Sequence, residues 1–284
     1  MSLAIVYTRA ALGIEAPLIT VEVHLSNGLP GLTMVGLPET TVKEARDRVR
    51  SALINSGYAF PAKKITINLA PADLPKEGGR YDLPIALALL VASEQLNTTR
   101  LNQYEFVGEL ALTGGLRGVP GAIPSAMEAI KAGRRIVVSS DNAAEVGLIG
   151  GSDCLVADHL QEVCAFLAGQ TSLSPPLAEA PARDERYEDL LDVIGQQQGK
   201  RALEIVAAGG HNLLLIGPPG TGKTMLASRL PGLLPPLSNQ EALESAAIQS
   251  LVNLHTAKTR WRQRPFRAPH HSASLAAMVG GGSI

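Results

Sequence analysis

The segment Gly217–Thr224, GPPGTGKT, has the residue types and spacing of a phosphate-binding loop. It matches the pattern G-x-x-x-x-G-K-[ST] in full. The glycines let backbone N–H groups converge on phosphate oxygens, and the N-terminus of a following helix adds partial positive charge. Lys223 is then placed to reach the β- and γ-phosphates of ATP, and Thr224 to ligate Mg²⁺, so both are the predicted catalytic residues. The predicted cofactor-binding residues of this loop are Gly217, Pro218, Pro219, Gly220, Thr221, Gly222, Lys223, Thr224 and Met225.

The residues around this loop have the helix–strand–loop–helix order that it requires. A helix ends at a Gly-Gly break, and the apolar segment Asn212–Ile216 predicts a buried strand of a parallel sheet. Another helix is predicted to begin at Ser238, with Glu241 as its capping-box partner. No strand-borne acidic pair follows Thr224, so we expect this chain to bind ATP but to hydrolyse it poorly. The sequence ends inside a Gly-rich run, MVGGGSI, and we expect it to be truncated before that strand.

A second candidate site is the loop within Ala70–Leu90, APADLPKEGGRYDLPIALALL. An alternating apolar segment precedes it and a helix-like apolar run follows it. Loops of this build at a strand-to-helix turn often hold nucleophiles or phosphates. The residues alone leave open whether this loop is an active site or keeps only the shape of one.

Composition excludes several classes of protein. The chain has 284 residues, of which 45% are hydrophobic and 18% are charged, and its formal net charge is −1. Any contact with nucleic acid must therefore come from a local patch. Cys154 and Cys164 form neither a metal-ligand spacing nor a disulfide framework, which is typical of a reducing cytoplasm. Since no signal peptide or membrane-spanning run is recognisable, we expect a cytoplasmic protein with no membrane partner.

The first part of the chain has the pattern of mixed α and β structure. Alternating apolar residues predict strands at Ile19–Leu25 and Ile65–Leu69, and the runs FVGELAL and RIVVSS predict further strands. A helix is predicted over Thr41–Gly57, with Thr41 and Glu44 as its capping box. Its arginines either touch nucleic acid or lie on a solvated face; they are Arg46, Arg48 and Arg50.

A domain boundary is predicted in the Pro-rich segment 169–186, which has no apolar periodicity. The predicted organisation is one domain over 1–168, a linker over 169–186 and a second domain over 187–284.

Four segments together resemble a known family. Two segments of the second part look like the magnesium-chelatase-like AAA+ family: DVIGQQQGKRALEIVAAGGHNLLLIGPPGTGKT and RPFRAPHHSASLAAMVGGGSI. VGLPETTVKEARDRVRSALINSG and ITINLAPADLPKEGGRYDLPIALALL are similar to its ComM/YifB branch. The resemblance implies an α/β protein. In it, an α+β Lon-protease-like domain with the ribosomal protein S5-like fold would precede the N-terminal part of a P-loop AAA+ domain.

The resemblance also implies a function. ComM-type proteins are hexameric helicases that promote branch migration during natural transformation, so ATP and Mg²⁺ would be cofactors. A homo-hexamer formed with nucleotide and branched or single-stranded DNA would be the partners. The family assigns the segment before the first AAA+ helix to the adenine pocket, which here implies Val193, Ile194 and Gly195.

The resemblance bears on the second candidate loop as well. In Lon-type proteases a Ser-Lys dyad is catalytic, and on this sequence the Ser position falls at Arg80 and the Lys position at Pro124. Ser125 and Lys131 are the nearby residues of the required types. We therefore expect an inactive protease domain. EGGRYD would then serve packing, subunit contact or ligand contact.

The segment His255–Ser272 is a local basic patch with interleaved aromatic residues. Its cations are Lys258, Arg260, Arg262, Arg264 and Arg267, and its aromatic residues are Trp261 and Phe266. Such a mixture suits phosphate contact with base stacking, and we take Arg260, Arg264 and Arg267 as candidate DNA-binding residues. An intersubunit salt-bridge role stays open. His270 and His271 are adjacent and lack a third ligand nearby, so a metal site is not predicted.

The leading hypothesis is thus an ATP-driven DNA motor. The alternative is a magnesium-chelatase-type ATPase subunit, although the dedicated chelatase ATPase usually lacks a Lon-like front domain. An ATP-dependent protease is a third hypothesis, against which Arg80 and Pro124 argue.

Overall fold

The computed structural model describes residues 2–36, 44–176, 187–252, 261–270 and 272–279. The chain divides into two compact units. The first unit comprises Met1–Ala182 and Leu243–Trp261, and the second comprises Arg183–Ala242 and Arg262–Ile284. The finer organisation into a domain over 1–168, a linker and a domain over 187–284 remains a prediction.

A seven-stranded sheet is the framework of the first unit. The strands of the chain are β1 (Leu3–Arg9), β2 (Leu18–Ser26), β3 (Gly31–Val35), β4 (Lys64–Ala70), β5 (Tyr104–Phe106), β6 (Glu109–Leu110), β7 (Leu116–Arg117), β8 (Arg135–Ser139) and β9 (Cys154–Ala157). The sheet order is β3-β4-β2-β1-β5-β8-β9, while β6 and β7 form a separate antiparallel pair. Within the large sheet β1–β2 and β2–β4 are antiparallel, and the other neighbours are parallel. The fold is therefore mixed α/β with a mostly parallel sheet, as predicted.

Helices follow or separate most of these strands. They are α1 (Ala45–Asn55), α2 (Asp82–Ala92), α3 (Ala122–Lys131), α4 (Ala143–Val146), α5 (Leu160–Leu167), α6 (Gln197–Gly209), α7 (Lys223–Leu233), α8 (Asn239–Ser250) and α9 (Leu275–Val279). A short 3₁₀ helix, Gly79–Tyr81, leads directly into α2.

The core of the first unit is centred on α2. Its sequence DLPIALALLVA is apolar on every side, and almost every residue is buried, as expected of a helix enclosed by a core. It packs against β1, β2 and α1. A Leu→Ala change at Leu87, which is fully buried, would cost about 2–5 kcal/mol because it leaves a cavity.

The parallel end of the sheet is covered on both faces. Successive residues of a strand point to opposite faces. Ile136 and Val138 of β8 accordingly pack in a cluster with α3, whereas Val137 packs in the α2 cluster that also includes residues of α5. This explains why RIVVS is continuously apolar rather than alternating.

A buried charge cluster joins β1 to β5. The carboxylate of Glu105 accepts hydrogen bonds from Arg9 Nε at 2.6 Å and Arg9 Nη2 at 2.8 Å. Arg134, just before β8, donates to the same carboxylate at 2.9 Å and stacks over the ring of Tyr7. A buried anion is tolerated here because two guanidinium groups surround it.

Both cysteines are free and buried, Cys154 on β9 and Cys164 on α5. Burial raises the pKa of each thiol to about 11. They are packing residues of two different clusters.

Several predictions of secondary structure in the first unit are confirmed. Ile19–Leu25 and Ile65–Leu69 lie within β2 and β4. The predicted helix over Thr41–Gly57 is α1, and Gly57 follows it with a φ of +84°. Thr41, its predicted capping residue, lies outside the described residues. The run FVGELAL divides between β5 and β6 instead of forming one strand, because Val107 and Gly108 turn the chain between them.

The second unit contains α6, α7 and a small apolar cluster between them. Val193, Leu203 and Leu226 form its buried centre. The Gly-Gly break after α6 is present, with Gly210 at a φ of +62°. Ser238 and Glu241 form the predicted capping box, with Ser238 N donating to Glu241 Oε2 at 2.8 Å.

The prediction of a buried strand over Asn212–Ile216 is wrong for this structure. The segment has no strand assignment, and Leu214 and Ile216 are 80% and 86% exposed. A strand needs a neighbour that pairs with its backbone groups. The described residues of the second unit provide no such neighbour, so the apolar pattern is present without the ladder.

Candidate functional site

The phosphate-binding loop lies directly before α7, in the second unit. Gly220 and Gly222 have φ values of +80° and +82°, in the left-handed region that only glycine adopts at little cost. Gly222 is the N-cap residue of α7, so Lys223 and Thr224 lie in the first turn of the helix. The backbone N–H groups of that turn have no partner within the helix and can bind an anion. The glycine-rich turn therefore has a backbone that could bind an anion, and its role as the phosphate site stays a prediction.

Lys223 folds back over the loop. Its amine donates to the carbonyl of Gly217 at 2.8 Å and to that of Pro218 at 2.7 Å, and contacts the hydroxyl of Thr221 at 3.3 Å. These acceptors are neutral. A phosphate oxygen could take their place, and because it is charged it would form a stronger hydrogen bond to the ammonium group. Thr221 closes the same turn by donating to the carbonyl of Pro218 at 2.9 Å.

The residues present fit a nucleoside triphosphate with its metal ion. The hydroxyl of Thr224 is exposed and has no hydrogen-bond partner among the described residues, so it is available to an ion. A Cβ at Gly220 would meet nothing within 4 Å, which leaves open space beside the loop backbone. Met225 follows in α7 and is 38% exposed, and Pro219 is an exposed residue of the loop.

The predicted adenine residues lie on the segment before α6. Val193 is buried in the cluster with Leu203 and Leu226, and Ile194 is 96% exposed. Gly195 and Gln196 both have positive φ, so the chain turns sharply at this point. The amide of Gln196 donates to the carbonyl of Thr221 at 3.2 Å and so links this segment to the phosphate-binding loop. Of the three residues, Ile194 and Gly195 are open to a ligand, while Val193 anchors the segment.

Sequence reasoning missed the contacts by which Arg229 fixes α7 to the segment at Glu188 and Asp189. Arg229 donates to the carboxylate of Glu188 at 3.0 Å and to the carbonyl of Asp189 at 3.1 Å. Its side chain is largely buried despite its charge. The 41-residue separation between Arg229 and Glu188 left no sequence signal that these residues pair.

The basic segment is only partly available for contacts with DNA. Arg260 lies outside the described residues. Arg264 is engaged: its Nε donates to the carbonyl of Pro235 at 2.8 Å, and its guanidinium lies 3.9 Å from Glu241. Arg262 likewise donates to the carbonyl of Leu237 at 2.9 Å. Arg267 is exposed and forms no hydrogen bond or ion pair with a described residue.

The aromatic residues of this segment also differ in their surroundings. Phe266 is 44% exposed and can stack on a ligand. Trp261 packs against a cluster in the first unit that includes Ile123 and Ala246, so its ring serves packing.

The second candidate loop, between β4 and α2, is filled by Arg80. This residue is buried, and its guanidinium donates to the carbonyls of Pro120 and Arg9. Burial lowers its pKa from the ordinary arginine value. Pro124 lies in α3 and is buried.

Ser125 and Lys131 have separate partners. The hydroxyl of Ser125 is buried and donates to the carbonyl of Gly121 at 2.9 Å, one turn back in the same helix. The amine of Lys131 is exposed and pairs with Glu128 at 2.6 Å. Six residues of α-helix separate them by about 9 Å along the axis. This arrangement does not provide the hydrogen bond of a Ser-Lys dyad.

A buried lysine in this loop was not anticipated. Lys76 is fully buried, and its amine donates to the carbonyl of Leu74 at 2.8 Å and to that of Pro71. Burial lowers its pKa. The amine therefore ties together two backbone carbonyls of the segment just before PKEGG, which is a structural contact.

Two further searches bear on the class of protein. Across the described ranges, no group of three or more His, Cys, Asp or Glu side chains is arranged to hold a metal ion. None of the described helices combines the length and apolar composition needed to cross a bilayer.

Two family models match separate parts of the chain. Residues 21–142 match the family model described as subunit ChlI of Mg-chelatase. Residues 189–284 match the model described as magnesium chelatase, subunit ChlI.

Full-chain relatives are also similar. The chain is 77% identical over 284 residues to the uncharacterized protein YifB of Salmonella typhimurium. It is 75% identical over 284 residues to YifB of Escherichia coli and 58% identical over 291 residues to the competence protein ComM of Haemophilus influenzae. All of this chain is covered in each case, but only 56%, 56% and 57% of the relatives, so it spans little more than half of their length. From these matches we conclude that the chain belongs to the ComM/YifB family of magnesium-chelatase-like proteins.

Proposed function

We propose that the protein is an AAA+ ATPase of the cytoplasm that acts on DNA. In full-length form it would be a nucleotide-dependent hexameric helicase that promotes branch migration during recombination in natural transformation. The single observation that carries the ATPase part is the position of Lys223, whose amine covers the loop carbonyls of Gly217 and Pro218 at the start of α7. The relative named as a competence protein supports the link to transformation.

In this proposal the chain binds ATP through the loop backbone. Lys223 leaves the two carbonyls and donates to the β- and γ-phosphates, while the N–H groups of the first turn of α7 point at phosphate oxygens. The exposed segment at Ile194 and Gly195, which Gln196 links to the loop, would contact the adenine. Mg²⁺, held by the hydroxyl of Thr224 and the phosphates, would neutralise phosphate charge. Because no strand-borne acidic pair follows Thr224 in this sequence, the chain itself would turn over ATP slowly.

DNA contact through the basic segment rests on Arg267 and Phe266 more than on Arg264. Arg267 is exposed and Phe266 offers its ring, which suits phosphate contact with stacking. Arg264 is bound to Pro235 and lies near Glu241, so its contribution would be to hold the segment in place. The role of Arg260 stays a prediction.

A second candidate function is that of a magnesium-chelatase-type ATPase subunit. The observation that favours it is that both matching family models carry the name of the chelatase subunit ChlI. Such a subunit would bind the same nucleotide but would have no need of DNA. An ATP-dependent protease is disfavoured, because Arg80 fills the position where the resemblance puts the nucleophile.

The test of the ATPase part is equilibrium binding of a fluorescent ATP analogue. Lys223→Ala is expected to lower the affinity about tenfold or more, since a hydrogen bond to a charged group is worth about 1.5–3 kcal/mol. Lys200→Ala, which removes the same charge from α6, is the matched control and should bind normally. Equal affinities in the two variants would refute the nucleotide site.

The motor part is tested with the full-length protein on a labelled Holliday junction. Strand separation should require ATP and be lost in Lys223→Ala. The chelatase alternative would be favoured if a partner that inserts metal into a porphyrin stimulated ATP turnover and DNA had no effect on it.

A further inference from the structure

The first unit contains a cationic pocket that the proposed nucleotide site does not use. We infer that this pocket, formed by Arg46, Arg50, Phe60 and Lys63, binds the sugar–phosphate backbone of DNA. The inference rests on the proposed function for the identity of the polymer, and it adds a second contact surface on the unit whose role is otherwise unassigned.

The pocket lies at the edge of the large sheet, between β3 and α1. Its volume is about 210 Å³, and its lining comprises Pro30, Gly31, Leu32, Arg46, Arg50, Phe60, Pro61, Ala62, Lys63 and Ile65. The floor is apolar, whereas the three charged lining residues are all basic and all exposed. An apolar floor with a cationic rim matches a nucleotide unit of a polymer, which presents a sugar and base beside an anionic phosphate.

The structure separates the three arginines of α1 into two groups. Arg48 is committed to structure: its guanidinium binds the buried carboxylate of Asp82 at 2.7 Å and lies 3.9 Å from Glu44. Arg46 and Arg50 form no ion pair with any residue in the described part of the chain. They lie four residues apart on one helix face, an arrangement in which like charges repel. Holding two unpaired cations together favours an anion between them.

Lys63 brings the third positive charge to the rim from the turn before β4. It interacts electrostatically with Glu94, so its charge is partly compensated. The two arginines therefore carry most of the expected affinity for a phosphate. Arginine also suits this role because its planar guanidinium can bind two phosphate oxygens at once.

Phe60 positions one of these guanidinium groups. The Cζ atom of Arg50 lies 5.5 Å from the centroid of the Phe60 ring, within the range of a cation–π contact. The ring restricts the arginine before any ligand arrives, which lowers the entropy lost on binding.

The volume of the pocket argues against a large free cofactor. Sites for whole small molecules usually measure about 300–1,000 Å³. A pocket of about 210 Å³ holds one phosphate with its sugar but not a complete dinucleotide cofactor. Backbone phosphates carry no base information, so we expect binding that is independent of DNA sequence.

The test is fluorescence anisotropy of a labelled single-stranded oligothymidine, titrated with the chain at several salt concentrations and without nucleotide. The test variant is Arg46→Gln/Arg50→Gln. The control variant is Arg117→Gln/Lys131→Gln, which removes the same charge from exposed residues of the first unit that already pair with Glu109 and Glu128. The test variant should reduce the slope of log affinity against log salt by about 1.4 relative to the control, as expected for the loss of two phosphate contacts to a single strand.

Three results would overturn the inference. The first is a salt slope in the test variant equal to that of the control. The second is a test variant that loses binding of inorganic pyrophosphate but binds DNA as before, which would identify free phosphate as the ligand. This binding is measured with Lys223→Ala also present, so that the proposed nucleotide site does not contribute. The third is loss of polyglutamate binding with DNA binding unchanged, which would identify an acidic protein segment.

Junction unwinding tests the proposed function, whereas oligonucleotide binding tests the present inference, so the two can fail independently. If the full-length protein fails to unwind junctions but the oligonucleotide still binds through Arg46 and Arg50, the motor proposal fails and this inference stands. If the wild-type chain binds no oligonucleotide even near 50 mM salt, where phosphate contacts are strong, the inference itself fails.

Discussion

Arg80 donates a hydrogen bond from its guanidinium to the backbone carbonyl of Pro120, and so joins two loops that are 40 residues apart in the sequence. The second nitrogen of the same group reaches the carbonyl of Arg9 at 3.3 Å. By the family resemblance, the Ser position falls at Arg80 itself, and the Lys position falls at Pro124, four residues after Pro120 in α3. A cation that crosslinks backbone carbonyls therefore occupies the position of the nucleophile, and the loop serves the stability of the first unit.

The first prediction follows from this crosslink. Arg80→Ser should restore the residue type of a nucleophile but lower the free energy of unfolding by about 2–4 kcal/mol, because buried carbonyls lose their donor and a cavity is left. The measurement is urea unfolding. Arg117→Ser, at an exposed arginine, should change stability by less than about 0.5 kcal/mol. A protein that gains peptidase activity without losing stability would contradict the structural role.

The second prediction concerns the carboxylate shared by Arg9 and Arg134. Glu105→Gln leaves two largely buried guanidinium groups without their counter-charge, and we expect a loss of about 3–5 kcal/mol in unfolding free energy. Glu128→Gln is the matched control, since within the described ranges its carboxylate pairs with the exposed Lys131 alone, a contact worth about 1 kcal/mol or less. Similar unfolding midpoints for the two variants would refute the importance of the cluster.

The third prediction is a pH dependence of stability. Glu145 is buried on α4, its Oε1 atom has no hydrogen-bond partner, and burial raises its pKa to about 8 against a lowering effect of Asn142. In the unfolded chain this carboxyl ionises near its ordinary pKa of 4.5. Between these values the folded state keeps a proton that the unfolded state has lost, so stability falls as pH rises, by up to about 1.4 kcal/mol per unit.

Glu145→Gln should remove this slope. Relative to wild type, the variant should gain stability as pH rises from about 5 to about 8, whatever its offset at low pH. Chemical unfolding at several pH values measures the difference, with the exposed Glu44→Gln as control. Parallel pH profiles for wild type and Glu145→Gln would show that this carboxyl ionises normally.

The fourth prediction separates backbone strain from ligand binding. Gly222→Ala forces a side chain into the left-handed region and brings its Cβ to 3.1 Å from the Cε of Met225. Gly169→Ala imposes the same kind of strain at a φ of +75°, where a Cβ meets nothing. Both should lose about 1–2 kcal/mol of local stability, but only Gly222→Ala should weaken binding of an ATP analogue. Equal affinities would argue against the loop as the phosphate site.

Local patterns in the sequence predicted local structure well. The alternation of Ile65–Leu69 and the all-apolar run after Asp82 were sufficient for β4 and α2, because period and burial follow from residue type. The glycine-rich turn before α7 was also predictable, since the spacing of its glycines favours this backbone; its role as a phosphate site stays a prediction.

Long-range relationships were not predictable in the same way. Nothing in the local sequence says that Arg9 meets Glu105, 96 residues later, or that Arg48 binds Asp82 whereas Arg46 forms no ion pair with a described residue. The strand expected at Asn212–Ile216 was wrong for a related reason. Its apolar pattern is local, but a strand exists only where another segment supplies backbone partners.

The burial of Cys154 and Cys164 makes the protein a convenient background for chemical labelling. The thiolate is the reactive form of cysteine, and burial raises the pKa of both thiols to about 11, so neither reacts readily at neutral pH in the folded state. A cysteine placed at an exposed position such as Leu29 would be modified first. Fluorophores or spin labels could then be attached without removing a native cysteine, and reaction of the two native thiols would report unfolding.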